Sequence, residues 1–568
     1  MEPIKEITEH LLKYVLPDNS TAEEREANPI AAQEVVDAIK AGKSVEIINA
    51  VIEGSFNLES VVVEGKITIQ QTRIKGPVDC SYAEFKQVLN FHSSTFESDV
   101  NFTAAVVEND ITLNAASFLG KVDLTDVQVK GALYAQDCIF WKEANFMSGE
   151  IERRIVFIGA TFKQQAMFTG CRIRGTAFFD SAIFGGEVNF VTVEINDRAM
   201  FSDVTFAENA DFARAQIGAS AEFNGTIFKK DACFHGVSIQ DSAFFRKTHC
   251  SGKADFSYIR TGSNAEFTGS VFRGAAVFNS AEIGGHAVYN EVTFFAKTDF
   301  SATIFRAGGA FANAQFSGGV SFFASQFNMD AGFGQSVFAE DVSFLNANFR
   351  TIFFGLPQGP ATTKFNGKID LRGCTYDRIE PVSIWEELMN RLDPYDRQPF
   401  TQLEEIFRRA GEVDLANKVY YERKRVGSAR IPLRRTGAWL LDRFLWALTG
   451  YGVRLWRLSV VIPLILLIGT FIFHIEGAVD PNQTLQSSPL LGPQPKGGLV
   501  LSLTYTEAFW VSLGFFLPVE TPSGTEWKAS SRSLWGIITF TSFATLWKLL
   551  GWILVPVWVA GVTGLLKR

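Results

Sequence analysis

The chain has 568 residues, 53 of them Phe and 47 Gly, with a net charge of −8. Its length exceeds one compact core, and such over-use of one aromatic signals a repeat that demands it at a fixed position. From Arg430 onward, 12 Lys/Arg against 6 Asp/Glu give +6, leaving −14 on residues 1–429; this acidity argues against general nucleic-acid binding, which needs clustered Lys and Arg, and no nucleic-acid partner is expected.

The N-terminus shows no basic-then-apolar leader. Residues 1–46 are expected to form a helical cap, with Ile4, Ile7, Leu11 and Leu12, then Ile30, Val35, Val36 and Ile39, at helical spacing. A cap is required because the next segment repeats. Phe157, Phe168, Phe179, Phe190, Phe201, Phe212, Phe223 and Phe234 stand 11 apart, and the beat runs from Ile47 to Phe344. A second series is offset by five, through Phe162, Ile173, Phe184, Ile195, Phe206 and Ile217. Two residues before most bulky positions stands a small one, such as Ala166, Ala177, Ala199 and Ala210.

On a helix, residues i and i−2 face apart, whereas in extended backbone they share a face. Each small–bulky pair therefore points into one interior, and the polar and Gly-containing triplets between pairs turn corners. Alternation of Phe and Ile in the offset series gives a true period of 22, with four faces of five, six, five and six residues. About fourteen stacked coils make a rod on the order of 65 Å. The Phe ladder reads as a packed core rather than a binding box.

This pattern resembles the pentapeptide-repeat family, whose units carry a small residue at i−2 and Leu or Phe at i. The resemblance covers about residues 47–350, within a domain expected over 47–378, and implies a mainly β solenoid, a right-handed quadrilateral β-helix. This sequence departs from the family in that every second unit has six residues. Cys80, Cys171 and Cys250 take inward positions, where Cys acts as a small hydrophobe. The six cysteines form no C-x-x-C pair, so reduced thiols are expected. Acidic members of the family that mimic DNA suggest a weaker reading, against which the membrane segments and corner lysines speak.

Residues 379–430 read as a helical collar. Trp385, Leu388, Met389 and Leu392 share a face, as do Leu403, Ile406 and Phe407, and Leu415 with Val419, with Gly411 a break. The segment resembles the helical stretch downstream of membrane-bound members of the family. Glu404, Glu405, Arg408 and Arg409 read as a solvated helix face.

Residues 431–457, with Trp439, Trp446 and Trp456, suit an interfacial amphipathic helix. Residues 458–475 carry no Asp, Glu, Lys or Arg and are long enough for a first span. Residues 533–566, apolar apart from Lys548, supply the second. Arg434, Arg435, Arg443, Arg454 and Arg457 precede the first span, and Lys567 and Arg568 end the chain. The positive-inside rule then expects both termini in the cytoplasm of a multi-pass protein of the cell (inner) membrane.

Between the spans, residues 498–518 are expected to be re-entrant or interfacial, because a third crossing would move Lys567 and Arg568 outside. Span, half-helix and span resemble the pore module of two-transmembrane ion channels. That likeness implies Ser512, Leu513, Gly514, Phe515 and Phe516 as possible pore-lining residues. The Thr-Val-Gly-Tyr-Gly filter is not present. Glu507 and Lys548 are the ionisable groups of these apolar stretches, where such groups usually meet a partner or cavity.

The sequence carries no phosphate loop, nucleophile elbow or zinc-protease motif. No catalytic, cofactor-binding or metal-binding residue is expected, and the His249–Cys250 neighbours do not make a catalytic pair. The expected function is a non-catalytic membrane scaffold presenting an acidic cytoplasmic solenoid to protein partners. The alternative is an oligomeric, channel-like protein with the solenoid as its regulatory domain. Its expected partners are the lipid bilayer, an unidentified protein on the solenoid, and further copies joined through the transmembrane module.

Overall fold

A computed structural model describes residues 3–355, 359–429, 436–481, 503–517, 527–534 and 536–563. The chain divides into two units, Met1–Pro399 and Phe400–Arg568.

The first unit is a β-solenoid of parallel two-residue strands. One coil runs through Ile155–Val156, Thr161–Phe162, Ala166–Met167 and Arg172–Ile173, here named the first to fourth walls. Each strand pairs with its equivalent 22 residues on: Ile155 with Ala177, Thr161 with Ile183, Ala166 with Val188 and Arg172 with Glu194. The second wall is a 16-stranded sheet and the third a 15-stranded one, while the other two walls share a 30-stranded sheet. About fifteen turns at ~4.8 Å per strand give a stack of about 70 Å.

The 22-residue register sorts the large side chains into columns. Along the second wall Phe118, Phe140, Phe162 and Phe184 stack at 4.7–5.0 Å, close to the strand spacing. Phe146, Phe168, Phe190, Phe212 and Phe234 line the third wall, and Phe157, Phe179, Phe201 and Phe223 the first. Rings of these two columns meet edge to face, as between Phe168 and Phe179 at 5.4 Å and 87°. The quadrupole of an aromatic ring favours that crossing. Ile173, Ile195, Ile217 and Ile239 fill the fourth wall, and all are buried. The ladder is the core, as its spacing predicts.

The corners explain the alternation of five and six. The five-residue corners hold one residue in the left-handed region, at Tyr82, Ser93, Ala104 and Ala115 and onward at the same 11-residue interval, with φ near +55°. An added residue lets the six-residue corners turn without it, except at Gly54 and Gly308, where glycine takes φ +101° and +95°. On the third wall the outward positions Asn57, Asp79, Asn101, Asp123 and Asn145 alternate amide with carboxylate. Asn101 Nδ2 donates to Asp79 Oδ1 at 3.2 Å, so like charges do not stack one strand apart.

The N-terminal cap differs from expectation. Residues Ile4–Ile7 and Leu11–Val15 form an antiparallel hairpin rather than a helix. The second strand adds in parallel to Ser44–Ile48 and so pairs the exposed edge of the first coil. Edge pairing overrides the helical spacing, and Ile4 and Ile7 are left exposed. Helix α1, Ala22–Ala27, is closed by a Thr21–Glu24 capping box. Helix α2, Ala32–Lys40, buries Val35, Val36 and Ile39 as predicted. At the other end, Lys364–Phe365, Ile369–Asp370 and Thr375–Glu380 complete a last coil. Helix α3, Trp385–Asn390, buries Trp385, Leu388 and Met389.

Helices α4, Gln398–Arg409, and α5, Val413–Ser428, turn at Gly411, whose φ of +80° suits glycine. Leu403, Phe407, Ala416 and Val419 are buried. Glu404 pairs with Arg408 at 2.8 Å and with Arg423 at 3.0 Å, and Glu405 with Arg409; the four charged residues are ion-paired.

Candidate functional site

The second unit ends in a helical module. Helix α6 spans Thr436–Thr449, α7 Leu458–Phe473, α8 Tyr505–Phe516 and α9 Phe540–Val562. The stretches Leu455–Phe473 and Phe540–Ala560 are long and apolar enough to cross a membrane. Ser533–Leu534 and Ile538–Thr539 form a small hairpin around Gly536, at φ +74°, so α9 starts later than position 533.

α7 and α9 run antiparallel. At one end Trp558 Nε1 donates to Ser459 Oγ at 2.8 Å. At the other, Val479–Pro481 pairs with Trp527–Ala529, and the Phe473 and Phe543 rings lie 5.6 Å apart. Residues 455 and 563 therefore share one end of the module.

α8 enters from the opposite end. Thr504 and Glu507 cap its first turn reciprocally. His474 Nδ1–H donates to the Leu503 carbonyl at 2.6 Å, and its ring stacks on Tyr505 at 3.9 Å. Two turns deeper, the buried Ser512 Oγ donates to the Leu466 carbonyl at 3.2 Å. α8 is about 18 Å long and stops beside the middle of α9. A Cβ on Gly551 would lie 1.6 Å from the Phe516 carbonyl oxygen, and one on Gly469 2.3 Å from both Ser512 Oγ and Trp547. These two glycines let α8 seat between its neighbours, as small residues do where helices approach closely.

Of the possible pore-lining residues, Ser512 and Phe516 are fully buried among α7 and α9, and Leu513, Gly514 and Phe515 are half-buried. All five are helical, so they form the end of a half-helix rather than an extended filter. Phe515 meets Phe473 at 5.3 Å, whereas Gly514 falls on the side of α8 that exposes Trp510. Glu507 serves as a helix cap, and Lys548 is exposed beside Leu549 and Trp552. Sequence reasoning missed Gly469, Gly551 and His474; a glycine inside an apolar helix was the available signal. Residues 430–435, 498–502, 518 and 564–568, which carry parts of the expected helices and Arg434, Arg435, Lys567 and Arg568, lie outside the described residues.

α6 exposes Leu440, Phe444 and Leu445. Arg443 lies over Trp439 at 5.7 Å and Arg457 over Trp446 at 5.9 Å. Trp446 Nε1 donates to the Tyr421 hydroxyl at 3.0 Å, tying α6 to α5.

In the solenoid, burial pushes the Cys138, Cys171 and Cys250 thiols up to about 12, and those of Cys80 and Cys374 also upward. Cys250 faces the core while His249 faces out, so the two side chains sit on opposite sides of the wall. Among the described residues no group of three or more His, Cys, Asp and Glu is placed to hold a metal ion. Comparison with protein-family models, curated proteins and solved structures finds no match.

Proposed function

We propose that this chain is a non-catalytic, membrane-anchored scaffold. In this reading a pentapeptide-repeat solenoid, right-handed and quadrilateral, stands on the cytoplasmic side of the cell (inner) membrane. A two-span helical module anchors it, and its acidic walls face protein partners. The observation that carries the reading is the antiparallel pair α7 and α9, whose outward residues Leu464, Phe471, Leu546, Trp552 and Ile553 are large, apolar and exposed. A lipid bilayer is the natural cover for such a belt.

Arg443, Arg454 and Arg457 precede α7, which supports placing that end, and with it both termini, in the cytoplasm. At about 18 Å, α8 is too short for a ~30 Å hydrocarbon core. A re-entrant α8 keeps the number of crossings even. The exposed aromatic and aliphatic side chains of α6 suit the interface. Protease digestion of sealed vesicles carrying a tag at each terminus tests the topology. Both tags should be removed from inside-out vesicles and neither from right-side-out ones; one tag cut on each side would refute the even number of crossings.

A second reading is favoured by α8 itself. A half-helix that ends at mid-depth resembles the half-helices that position ions in transport proteins. An oligomer that gathers the Gly514 side of α8 around an axis would conduct, with the solenoid as regulatory domain. Current through a planar bilayer that is lost in Gly514→Leu supports this reading, and a silent bilayer retires it.

A further inference from the structure

We propose that the junction of α6 and α7 binds the head groups of anionic phospholipids, with Arg443, Arg454 and Arg457 as ligands to the phosphate. The inference rests on the membrane reading above and names the lipid class that this surface takes.

Residues 426–475 hold six arginines, Arg430, Arg434, Arg435, Arg443, Arg454 and Arg457, against the single carboxylate of Asp442. That is +5 in a chain of net −8, so the remaining residues carry −13. Asp442 accepts a hydrogen bond from the Tyr451 hydroxyl at 3.1 Å. On α5, Arg423 pairs with Glu404 and Arg425 with Glu422. Among the described residues no carboxylate pairs with Arg443, Arg454 or Arg457. The positive charge at the start of the first span is therefore left for a partner to neutralise.

These three arginines rest on aromatic rings. Arg454 lies over Tyr421 at 4.5 Å, and Arg457 and Arg443 over Trp446 and Trp439. The hydrogen bond between Trp446 and Tyr421 joins the rings beneath Arg454 and Arg457. Arg457 N–H donates to the Arg454 carbonyl at 3.0 Å across the 3₁₀ turn Leu455–Arg457, in which side chains three apart eclipse. Arg457 Nη1 also donates to the Trp446 carbonyl at 3.0 Å, which fixes its guanidinium. A guanidinium carries five donors in a planar fork that fits phosphate oxygens, and stacking on a ring leaves the edge of that fork for a ligand.

Apolar side chains stand beside the cations. Leu440 is 60% exposed and Trp456, next to Arg457, 65%, and Phe444 is exposed one turn along α6 from Leu440. A soluble polyanion would neutralise the arginines and leave these groups in water. A phospholipid sets phosphate at the level of the guanidinium groups and acyl chains against the apolar groups. A zwitterionic head group brings its own ammonium, so only an anionic one offsets the surplus charge.

Lipid retention by the full chain in detergent tests this. The chain is loaded in mixed micelles holding equal amounts of dioleoyl phosphatidylglycerol and dioleoyl phosphatidylcholine, washed into lipid-free detergent, and its bound lipid counted by mass spectrometry. Phosphatidylglycerol should exceed phosphatidylcholine at least tenfold, a preference that salt weakens. Arg454→Gln with Arg457→Gln should bring the ratio below about two, and Arg443→Gln, at an exposed position, should lower it about threefold. Lys229→Gln with Lys230→Gln, an equal loss of charge on the solenoid, should leave it unchanged. Circular dichroism and elution volume identify the folded variants. Equal retention of the two lipids by the unsubstituted chain would overturn the proposal. So would a ratio unmoved in every folded arginine variant, an equal fall in the solenoid variant, or release of phosphatidylglycerol by equimolar inorganic phosphate. Release of the chain from carbonate-washed membranes would defeat the membrane reading as well, whereas equal retention by a chain that stays in them defeats this inference alone.

Discussion

Replacing Phe201 by Ala should remove one of the best-packed rings of the solenoid. Phe201 stacks on Phe179 at 4.8 Å and on Phe223 at 5.0 Å, and meets Phe190 and Phe212 edge-on at 5.3 and 5.4 Å. Truncation loses the transfer energy of the ring and leaves a cavity that the ~4.8 Å coil repeat cannot close, because both neighbouring rings are fixed to their own strands. The expected loss is about 4 kcal/mol. Phe201→Leu keeps most of the volume and should lose about 1.5 kcal/mol, and outward Ser202→Ala should stay within about 0.5 kcal/mol. Guanidinium denaturation followed by far-ultraviolet circular dichroism gives the three values. Hydrogen exchange should show faster opening concentrated in the coils of Phe179 and Phe223, since coils couple to their nearest neighbours. A loss under about 1 kcal/mol for Phe201→Ala, or equal losses for Phe201→Ala and Ser202→Ala, would refute the inward ladder.

Ala115 sits at φ +57° while its neighbour Ala116 is buried in the small-residue column. Ala115→Gly should therefore be neutral or stabilising by up to about 1 kcal/mol, and Ala116→Gly destabilising by about 1 kcal/mol or more; thermal denaturation reads the opposite signs. In the helical module, Gly551→Val should unseat α8 by driving a side chain into the Phe516 carbonyl, whereas Ile553→Val on the exposed face should not, and Cys substituted at Ser512 should become reactive to maleimide only in the first background. The Cys250 thiol is raised from 9.0 to about 12, so its effect on stability is constant below 9.0 and is lost as pH rises from there toward about 12, where the unfolded chain releases the proton and the folded chain keeps it. Urea midpoints measured across that window should fall less in Cys250→Ala than in the unsubstituted chain.

The ladder is legible in the sequence because coil length is a rigid geometric constraint. Phe179, Phe201 and Phe223 must recur 22 apart if their strands are to pair. The left-handed corner residues are not legible, because Tyr82, Ala104, Arg214 and Lys247 share no chemistry. Their conformation is imposed by bonds between coils, such as Tyr82 N–H to the Thr103 carbonyl at 2.9 Å. The N-terminal hairpin is missed for a related reason: Leu11 and Leu12 fit helical spacing, but the first coil's open edge captures them. In the module, the two long apolar helices follow from hydropathy alone. The half-depth seat of α8 does not, since it depends on His474, Gly469 and Gly551, distant from α8 in the chain. The role of Glu507 as a cap is legible from Thr504 three residues before it.

In the proposed function the helical module holds the solenoid on a membrane. Alkaline carbonate washing of membranes from cells making the full chain tests this directly, beside a version ending at residue 429. The full chain should stay in the pellet, and the shortened one should be released as a folded, β-rich protein. Release of the full chain with the wash would contradict it.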